Sequence, residues 1–329
     1  MPGYHEHNSV DIIIVNHNDS RYIRRCFNRI RELDFPPDLM NIYWLDNASS
    51  DSSVEMVREI QSDYPIPITI LQAKRNLGFP EANNRAIREG TSEFIFLLNQ
   101  DTEVHPDCLK NLVETMNEDA SIGIAEARQV PDSHPKYYDE ESRQTSWCCC
   151  GGSLVRRTAF VQVGEFEGHF FYYCDDVDLG WKLWLAGWKC VFVKEASYVH
   201  YSYTHVGIEK RPRAFYFTLR NGILMRYAYC GPWSTLKYVG RLFHLLIAAD
   251  ESALQKKIIL RALFSHVPHI PHFLRRWSAI RNLKTPAWIQ FRGLYEFGPL
   301  PGDISDNLRT TRYRDRPGEG VSERCTNKD

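Results

Sequence analysis

Apolar and polar positions follow two rhythms along residues 10–129. Short, largely apolar runs read as strands buried on both faces: VDIIIV (10–15), NIYWLD (41–46), IPITIL (66–71), EFIFLL (93–98) and IGIAEAR (122–128). Between them the apolar residues return every three or four positions. Tyr22, Cys26, Phe27, Ile30 and Leu33 share one helical face, which Pro36-Pro37 closes. SSVE (52–55) has capping-box spacing ahead of Val54, Val57 and Ile60. Pro80 stands where a first helical turn begins and Gly90 where that helix ends. Pro106 opens a further helix that turns Leu109, Leu112, Val113 and Met116 inward. Strand–helix alternation of this kind predicts an α/β fold, a mostly parallel sheet with helices on both faces. Ligands of such sheets bind beyond the carboxyl ends of the strands. The predicted ends carry Asn16 and Asn18, Asp46 and Asn47, Lys74 to Asn76, and Asn99 with Asp101. Loops need polar residues, but four ends bearing Asp or Asn exceed that need, so a shared site is expected there.

The rhythm then changes. Residues 130–146 are polar with two Pro and read as a surface loop. Residues 147–200 contain a predicted strand (WCCCGGSLVRR), a short helix after Thr158, and the aromatic segment GHFFYYCDDVDLGWKLWLAGWKCVFV. Residues 212–300 look helical, with many Arg and aromatics, and from 301 on a loose tail is expected. The chain has 329 residues, 43% hydrophobic and 25% charged, an ordinary balance for a soluble globular protein. A net charge of -1 gives no global field for nucleic acid. Aromatics reach 13% and thicken toward the C-terminus, which favours a sugar-binding or membrane-facing surface. The nine Cys form no CxxC pair, so reduced structural thiols in a cytoplasmic protein are expected. The opening MPGYHEHNSVD carries no signal-peptide pattern, and no apolar run approaches the ~20 residues of a membrane span.

Several positions carry chemistry. Asp101 at a strand end can supply a carboxylate to Mg²⁺ or Mn²⁺, with phosphate oxygens completing the shell. Asn99 shares its face and can bind a ribose or a metal-bound water. Asp46 can accept the imide N–H of uracil or thymine, or can simply form a turn, as Asp51 does. In KRNLGFPEANNRA (74–86), Asn76, Gly78 and Asn83 surround a helix start; they suit a phosphate or ribose, or equally a cap and a tight turn. Asp175, Asp176 and Asp178 crowd the start of an amphipathic helix. They complement its dipole, yet they also repel one another, which raises at least one pKa unless a cation or substrate compensates. Such a group suits general-base work. His200 and His205 follow the strand KCVFV, and His200, nearer the strand end, is the better candidate to complete a metal site begun by Asp101.

Taken in order, IIIVNHN, LDNASSD, RNLGFPEANNRA, LLNQDTEV, CGGSLVRRTAF, FFYYCDDVDLGWKLWLAGW, VHYSYTH and YFTLRNGILMRY resemble the family 2 inverting glycosyltransferases of GT-A fold, and within them the rhamnosyltransferase-like branch of cell-surface polysaccharide synthesis. The resemblance spans about residues 10–230. It implies a metal-dependent enzyme with a nucleotide-diphosphate sugar as donor, dTDP-rhamnose or a UDP- or GDP-sugar, and a glycan, lipid-linked or small-molecule acceptor. It implies that Asp46 reads the base, that Asn16, Asn18, Asn76, Gly78 and Asn83 sit near ribose or phosphate, and that Asn99-Gln100-Asp101 fills the place of a DxD motif with Asp101 as metal ligand. Asp175-Asp176 takes the place of a Glu-Asp pair whose Asp is the catalytic base, here Asp176. His200 falls at a further metal ligand. Asp178, Trp181, Lys182 and Arg220 are expected on the acceptor side or elsewhere in the site. Asn99 replaces the first Asp of a strict DxD, Asp175 replaces Glu, and Lys182 lacks the bidentate fork of an Arg. The implied organisation is an N-terminal extension (1–9), a GT-A domain (10–229) with a nucleotide-sugar half (10–129) and an acceptor or catalytic half (130–229), a C-terminal helical region (230–300) and the tail (301–329). A homodimer and peripheral contact with the inner membrane face are further expectations. The alternatives are a sugar nucleotidyltransferase, whose Gly-rich loop VNHNDSRY lacks, and a non-catalytic sugar-binding module, which needs no clustered acids.

Overall fold

The computed structural model describes residues 8–131, 138–201, 212–247, 253–266 and 269–283. The predicted tail (301–329), His205 and most of the N-terminal extension lie outside them. One sheet holds β1 (Val10–Asn16), β2 (Met40–Asp46), β3 (Ile68–Gln72), β4 (Phe94–Asn99), β5 (Thr102–Val104), β6 (Ile122–Val130), β7 (Gly152–Arg156) and β8 (Lys189–His200), in the order β3-β2-β1-β4-β7-β6-β8-β5. β3, β2, β1 and β4 are mutually parallel, as are β6 and β8. β7 runs antiparallel to β4 and β6, and β5 antiparallel to β8, so the sheet is mixed.

The helices of the first part are α1 (Ser20–Arg31), α2 (Ser53–Gln61), α3 (Phe79–Ile87), α4 (Cys108–Glu118), α5 (Arg157–Gln162) and α6 (Asp175–Leu185). They cover both faces, which explains the unbroken apolar strands. Phe94, Phe96 and Leu98 of β4 pack with Ile23, Phe27 and Leu112 of α1 and α4, while Ile95 and Leu97 pack with Ala86, Phe160 and Leu183 of α3, α5 and α6. Each such fully buried side chain stabilises the fold by about 1.5–3 kcal/mol.

Two local expectations are corrected. The capping box at Ser52 does not form. Asp51 takes its place, accepting from the Ser53 amide (3.2 Å) and hydroxyl (2.6 Å) and from the Ser20 amide (3.1 Å), so one carboxylate starts both α1 and α2. The strand expected from Trp147 begins only at Gly152. Cys148–Cys150 form a buried turn before it, tied by the Cys149 amide to Glu126 (3.0 Å) and by the Ser153 hydroxyl to the Cys149 carbonyl (2.6 Å). Gly152 is required there, since a Cβ would lie 2.5 Å from the Tyr198 ring.

Beyond β8 follow α7 (Pro212–Met225), a π-helical turn Arg226–Cys230, α8 (Pro232–Ile247), α9 (Ala253–Phe264) and α10 (Ile270–Asn282). α7, α8 and α9 share a small core of Leu219, Ile223, Tyr238, Leu242, Ile259 and Ala262. α10 reaches back to the main body, where Phe273 packs with Phe170 and Trp181. Of the large apolar side chains exposed among the described residues, all but Val161 and Tyr172 lie on these last three helices: Trp233, Leu236, Phe243 and Ile247 on α8, Leu254, Leu260 and Phe264 on α9, Ile270 and Leu274 on α10. No described helix is long and apolar enough to cross a membrane.

Candidate active site

A cavity of about 570 Å³ opens at the carboxyl ends of β1, β2 and β4. It is lined by Val15, His17, Asp19 and Asn47, by Asn76 and Gly78, by Asn99–Asp101 with His200, by the aromatic wall Phe171, Tyr172 and Tyr173, and by Arg213. Short β5 delivers His200. Its pairing Thr102↔His200 with β8 and the Tyr201 amide on the Asp101 carbonyl (3.0 Å) fold the strand end back onto the Asn99–Asp101 turn.

The His200 ring is set by its outer nitrogen. Nδ1 donates to Gln129 Oε1 at 2.8 Å, which leaves Nε2 bare in a neutral imidazole. Nε2 faces Asp101 Oδ1 at 3.2 Å and accepts from Asn99 Nδ2 at 3.3 Å. A nitrogen lone pair and a carboxylate oxygen at that distance repel unless a proton or a metal cation lies between them. Asp19 adds to the demand: burial first, then the Asp101 charge, raises its pKa. The corner fits a divalent cation, and its mixed N and O donors suit Mn²⁺ better than the all-oxygen preference of Mg²⁺.

The aromatic wall is held in a conformation that side chains seldom adopt. Phe171, Tyr173 and Cys174 have φ of 63°, 68° and 67°. The Phe171 carbonyl accepts the Phe79 amide at 2.8 Å, and a Cβ on Gly78 (φ 82°) would lie 2.5 Å from that oxygen. From behind, Asn221 Nδ2 donates to the carbonyls of Phe170 (3.0 Å), Tyr172 (2.8 Å) and Tyr173 (2.9 Å), and Arg220 to that of His169. Strain of this kind, about 1–3 kcal/mol per residue, persists only where the surroundings over-determine it.

The wall runs straight into Asp175-Asp176 at the first turn of α6. Asp175 is buried and Asp176 half-buried. Burial, then the charge of Asp176, pushes the Asp175 carboxyl well above the ordinary carboxylate range. Cys150 and Cys174, both buried, lie close enough to feel the same charges and stay as inert thiols. The sign of the linkage follows. With its folded pKa above the unfolded one, Asp175 holds a proton that the unfolded chain releases, so this stability is present below the unfolded value and is lost as pH rises through the folded value. Asp175→Asn is therefore expected to flatten the fall of the melting temperature with rising pH. Equal slopes in both proteins would assign that fall to another group.

Residues 11–178, just over half of the chain, match the family described as Glycosyl transferase family 2. The chain belongs to that family. It is 24% identical over 209 residues to the N-acetylglucosaminyl-diphospho-decaprenol L-rhamnosyltransferase of Mycobacterium tuberculosis, covering 49% of this chain and 66% of that protein. The chain thus spans slightly less than two thirds of that relative's length. Among solved structures, the mannosyltransferase PcManGT from Pyrobaculum calidifontis, in complex with GDP-Man and Mn²⁺, superposes with a TM-score of 0.55 at 16% identity, over 88% of this chain and 87% of that one. GalNAc-T7 with UDP, GalNAc and Mn²⁺ gives 0.61 at 14%, over 81% and 57%. At such identity these structures establish the GT-A fold.

Against this family site, several expected contacts are corrected. Asn83 is buried, donates to the Phe79 carbonyl of its own helix (2.8 Å) and does not line the cavity. Asn18 Oδ1 is taken by the Ser50 amide at 2.7 Å, so it ties two loops together. Gln100 touches the cavity, but its carbonyl accepts the indole N–H of buried Trp44 at 2.7 Å, which fixes the turn ahead of Asp101. Asn76 lines the cavity while its Oδ1 accepts the Gly78 amide (2.9 Å). Asn16 and Asp46 are buried and do not line the cavity, each with a buried oxygen, Oδ1, that has no hydrogen-bond partner among the described residues. Sequence reasoning passed over His17, Asp19 and Arg213; the first two stand in the quoted VNHND stretch, where the turn after β1 is their only signal.

The residues expected on the acceptor side or elsewhere in the site do not line the cavity. Asp178, Trp181, Lys182 and Arg220 are all buried. Trp181 packs with Phe170 and Phe273, and Arg220 braces the wall. Asp178 accepts the Tyr229 hydroxyl at 2.6 Å and pairs with Arg276 of α10 and with Lys182 (3.4 Å). Arg276 also pairs with buried Glu167. Glu167, His169 and His272 bring ligand atoms within 4.8 Å of one another, but the two imidazoles stack at 3.8 Å and 20°. His169 Nδ1 and His272 Nε2 both lie 3.2 Å from Glu167 Oε1, and Glu167 also pairs with Arg276, so the carboxylate is the hub of a hydrogen-bonded ion-pair network that ties α10 to this segment.

Proposed function

We propose that the chain transfers a sugar from a nucleoside-diphosphate donor to an acceptor hydroxyl with inversion at the anomeric carbon. The observation that carries this reading is the meeting of Asp101 and His200 at 3.2 Å in a strand-end cavity whose aromatic wall leads directly into Asp175-Asp176. The acceptor O–H gives its proton to Asp176, its oxygen bonds to the anomeric carbon from one face, and the bond to the donor diphosphate breaks on the other. Asp175, kept protonated, leaves the negative charge of the pair on Asp176. Asp101 and His200 would hold Mn²⁺ or Mg²⁺, which when bound stabilises the charge growing on the leaving diphosphate. Asp46 keeps its assignment to a pyrimidine imide N–H from the family resemblance; its buried Oδ1 has no hydrogen-bond partner among the described residues and lies outside the cavity lining, so the turn at Asn47 must shift for a base to reach it. A rhamnosyl donor is favoured by the relative from Mycobacterium tuberculosis, whose name specifies L-rhamnosyl transfer. The same reading takes the exposed apolar rows of α8–α10, helices without a single Asp or Glu, as the side that meets the anionic inner face of a membrane.

The test is turnover of nucleotide sugars with Mn²⁺. Nucleoside diphosphate should be released only when an acceptor is present. EDTA should abolish release, and Asp101→Asn should raise the Mn²⁺ concentration needed for half-maximal rate. Full activity of demetallated protein would remove Asp101 and His200 from metal binding. Diphosphate release from a nucleoside triphosphate and a sugar phosphate would favour a nucleotidyltransferase instead.

A further inference from the structure

Two neutral amides grip the His200 imidazole, one at each nitrogen. Behind it, buried Gln129 of β6 accepts from Nδ1 at 2.8 Å and from the Tyr198 hydroxyl at 3.4 Å. Two donors on one oxygen fix which way this amide points, since its nitrogen can accept from neither. An irregular strand pairing puts Gln129 there. The β6–β8 register runs from Ala127↔Val193 directly to Arg128↔Ser197 and skips Lys194, Glu195 and Ala196. Gln129 therefore stands opposite Tyr198, where an unbroken register would bring the carboxylate of Glu195. In front of the ring, Asn99 Nδ2 lies 3.3 Å from Nε2, on the lone pair that a cation needs. The main chain of Asn99 is pinned: its amide donates to the Gly151 carbonyl (3.2 Å), and its carbonyl accepts the Thr102 hydroxyl (2.7 Å).

We infer that these two amides act in opposite senses on the cation. Gln129 is a positioning residue: it holds His200 in the Nδ1–H tautomer, so that Nε2 stays an acceptor beside Asp101. Asn99 caps that acceptor while no cation is bound, and its side chain swings off when one arrives. Entry of the cation thus breaks a hydrogen bond, and neither amide adds charge in return. The site takes the cation weakly on its own and firmly only with the oxygens of the donor diphosphate. This rests on the assignment of the metal to Asp101 and His200 made above; the tautomer and the cap do not.

Nitrogen NMR of histidine-labelled, metal-free protein at neutral pH should find His200 as the Nδ1–H tautomer. Gln129→Leu should mix the two tautomers. With UDP present, it should also weaken Mn²⁺ binding, read from the EPR signal of free Mn²⁺, by about 10- to 100-fold. Gln129 does not line the cavity, so UDP binding without metal should be unchanged in that variant. Gln129→Glu keeps the acceptor and should restore Mn²⁺ affinity, which serves where leucine disturbs folding. Asn99→Ala should act the other way and tighten Mn²⁺ binding without UDP by about 2- to 10-fold, the scale of one neutral hydrogen bond. A proton on Nε2 in the wild type, unchanged Mn²⁺ affinity in Gln129→Leu, or weaker Mn²⁺ binding in Asn99→Ala overturns the inference and leaves the metal assignment standing. A wild-type chain that binds no Mn²⁺ even with UDP overturns the metal assignment itself, and the role of both amides with it.

Discussion

Asp176→Asn is expected to lower glycosyl transfer by about 10²- to 10⁴-fold while nucleotide-sugar binding survives. The carboxamide keeps the size and the position of the side chain at the first turn of α6 but cannot take a proton from the acceptor. Burial and the neighbouring charge raise the Asp175 pKa, which disfavours it as an ionised base. Asp176 is the less buried of the two and the more open to an acceptor. The loss should fall on kcat, with KM for the donor steady, because the interaction removed is made in the transition state. The acidic limb of the pH–rate profile should vanish with it. Normal turnover of Asp176→Asn together with an inactive Asp175→Asn would transfer the role to Asp175.

How far such a site can be read from sequence depends on what each signal reports. Unbroken apolar runs report burial on both faces, so β1–β4 and their parallel order were legible. The antiparallel insertion of β7 between β4 and β6 was not, because a twelve-residue β8 and a three-residue β5 leave no periodic trace of their pairing. The pairing of β5 with β8 is what sets His200 beside Asp101 across 99 positions; the sequence offered His200 as a candidate by its strand-end place and by the family resemblance, without showing the pairing. The polar strand ends open onto the cavity, while the contacts of their individual residues left no trace in the sequence. Asn18 and Gln100 spend their carbonyls on a loop amide and an indole, and a sequence does not show which backbone donors need an acceptor. Arg275-Arg276 shows the same gap. The two look alike in sequence, yet Arg275 is exposed and the Arg276 side chain is 10% exposed, between two carboxylates.

Arg276→Met should destabilise the folded chain by about 3–5 kcal/mol, the usual effect of breaking a buried ion pair from one side. Arg276 bridges Glu167, whose side chain is 8% exposed, and Asp178, which is fully buried. Burial alone would raise the Glu167 pKa, but the His169 hydrogen bond and the Arg276 charge outweigh it and hold the group below the ordinary carboxylate range. A depressed folded pKa contributes stability above the unfolded value and loses it as pH falls through the folded one. In the variant that depression shrinks, so the difference between the two proteins in urea unfolding should be largest near neutral pH and should narrow as pH falls through the carboxylate range. Arg276→Lys should recover part of the loss, since an ammonium can meet one carboxylate but lacks the planar fork that reaches both. The consequence extends to the site. Glu167 starts the segment that ends in the Phe171–Tyr173 wall, so Arg276, with His272 on the same carboxylate and Phe273 against Phe170, ties α10 to the donor cavity. A loss below about 1 kcal/mol, the scale of an exposed pair, would mean that water reaches this network and that α10 is not anchored through it.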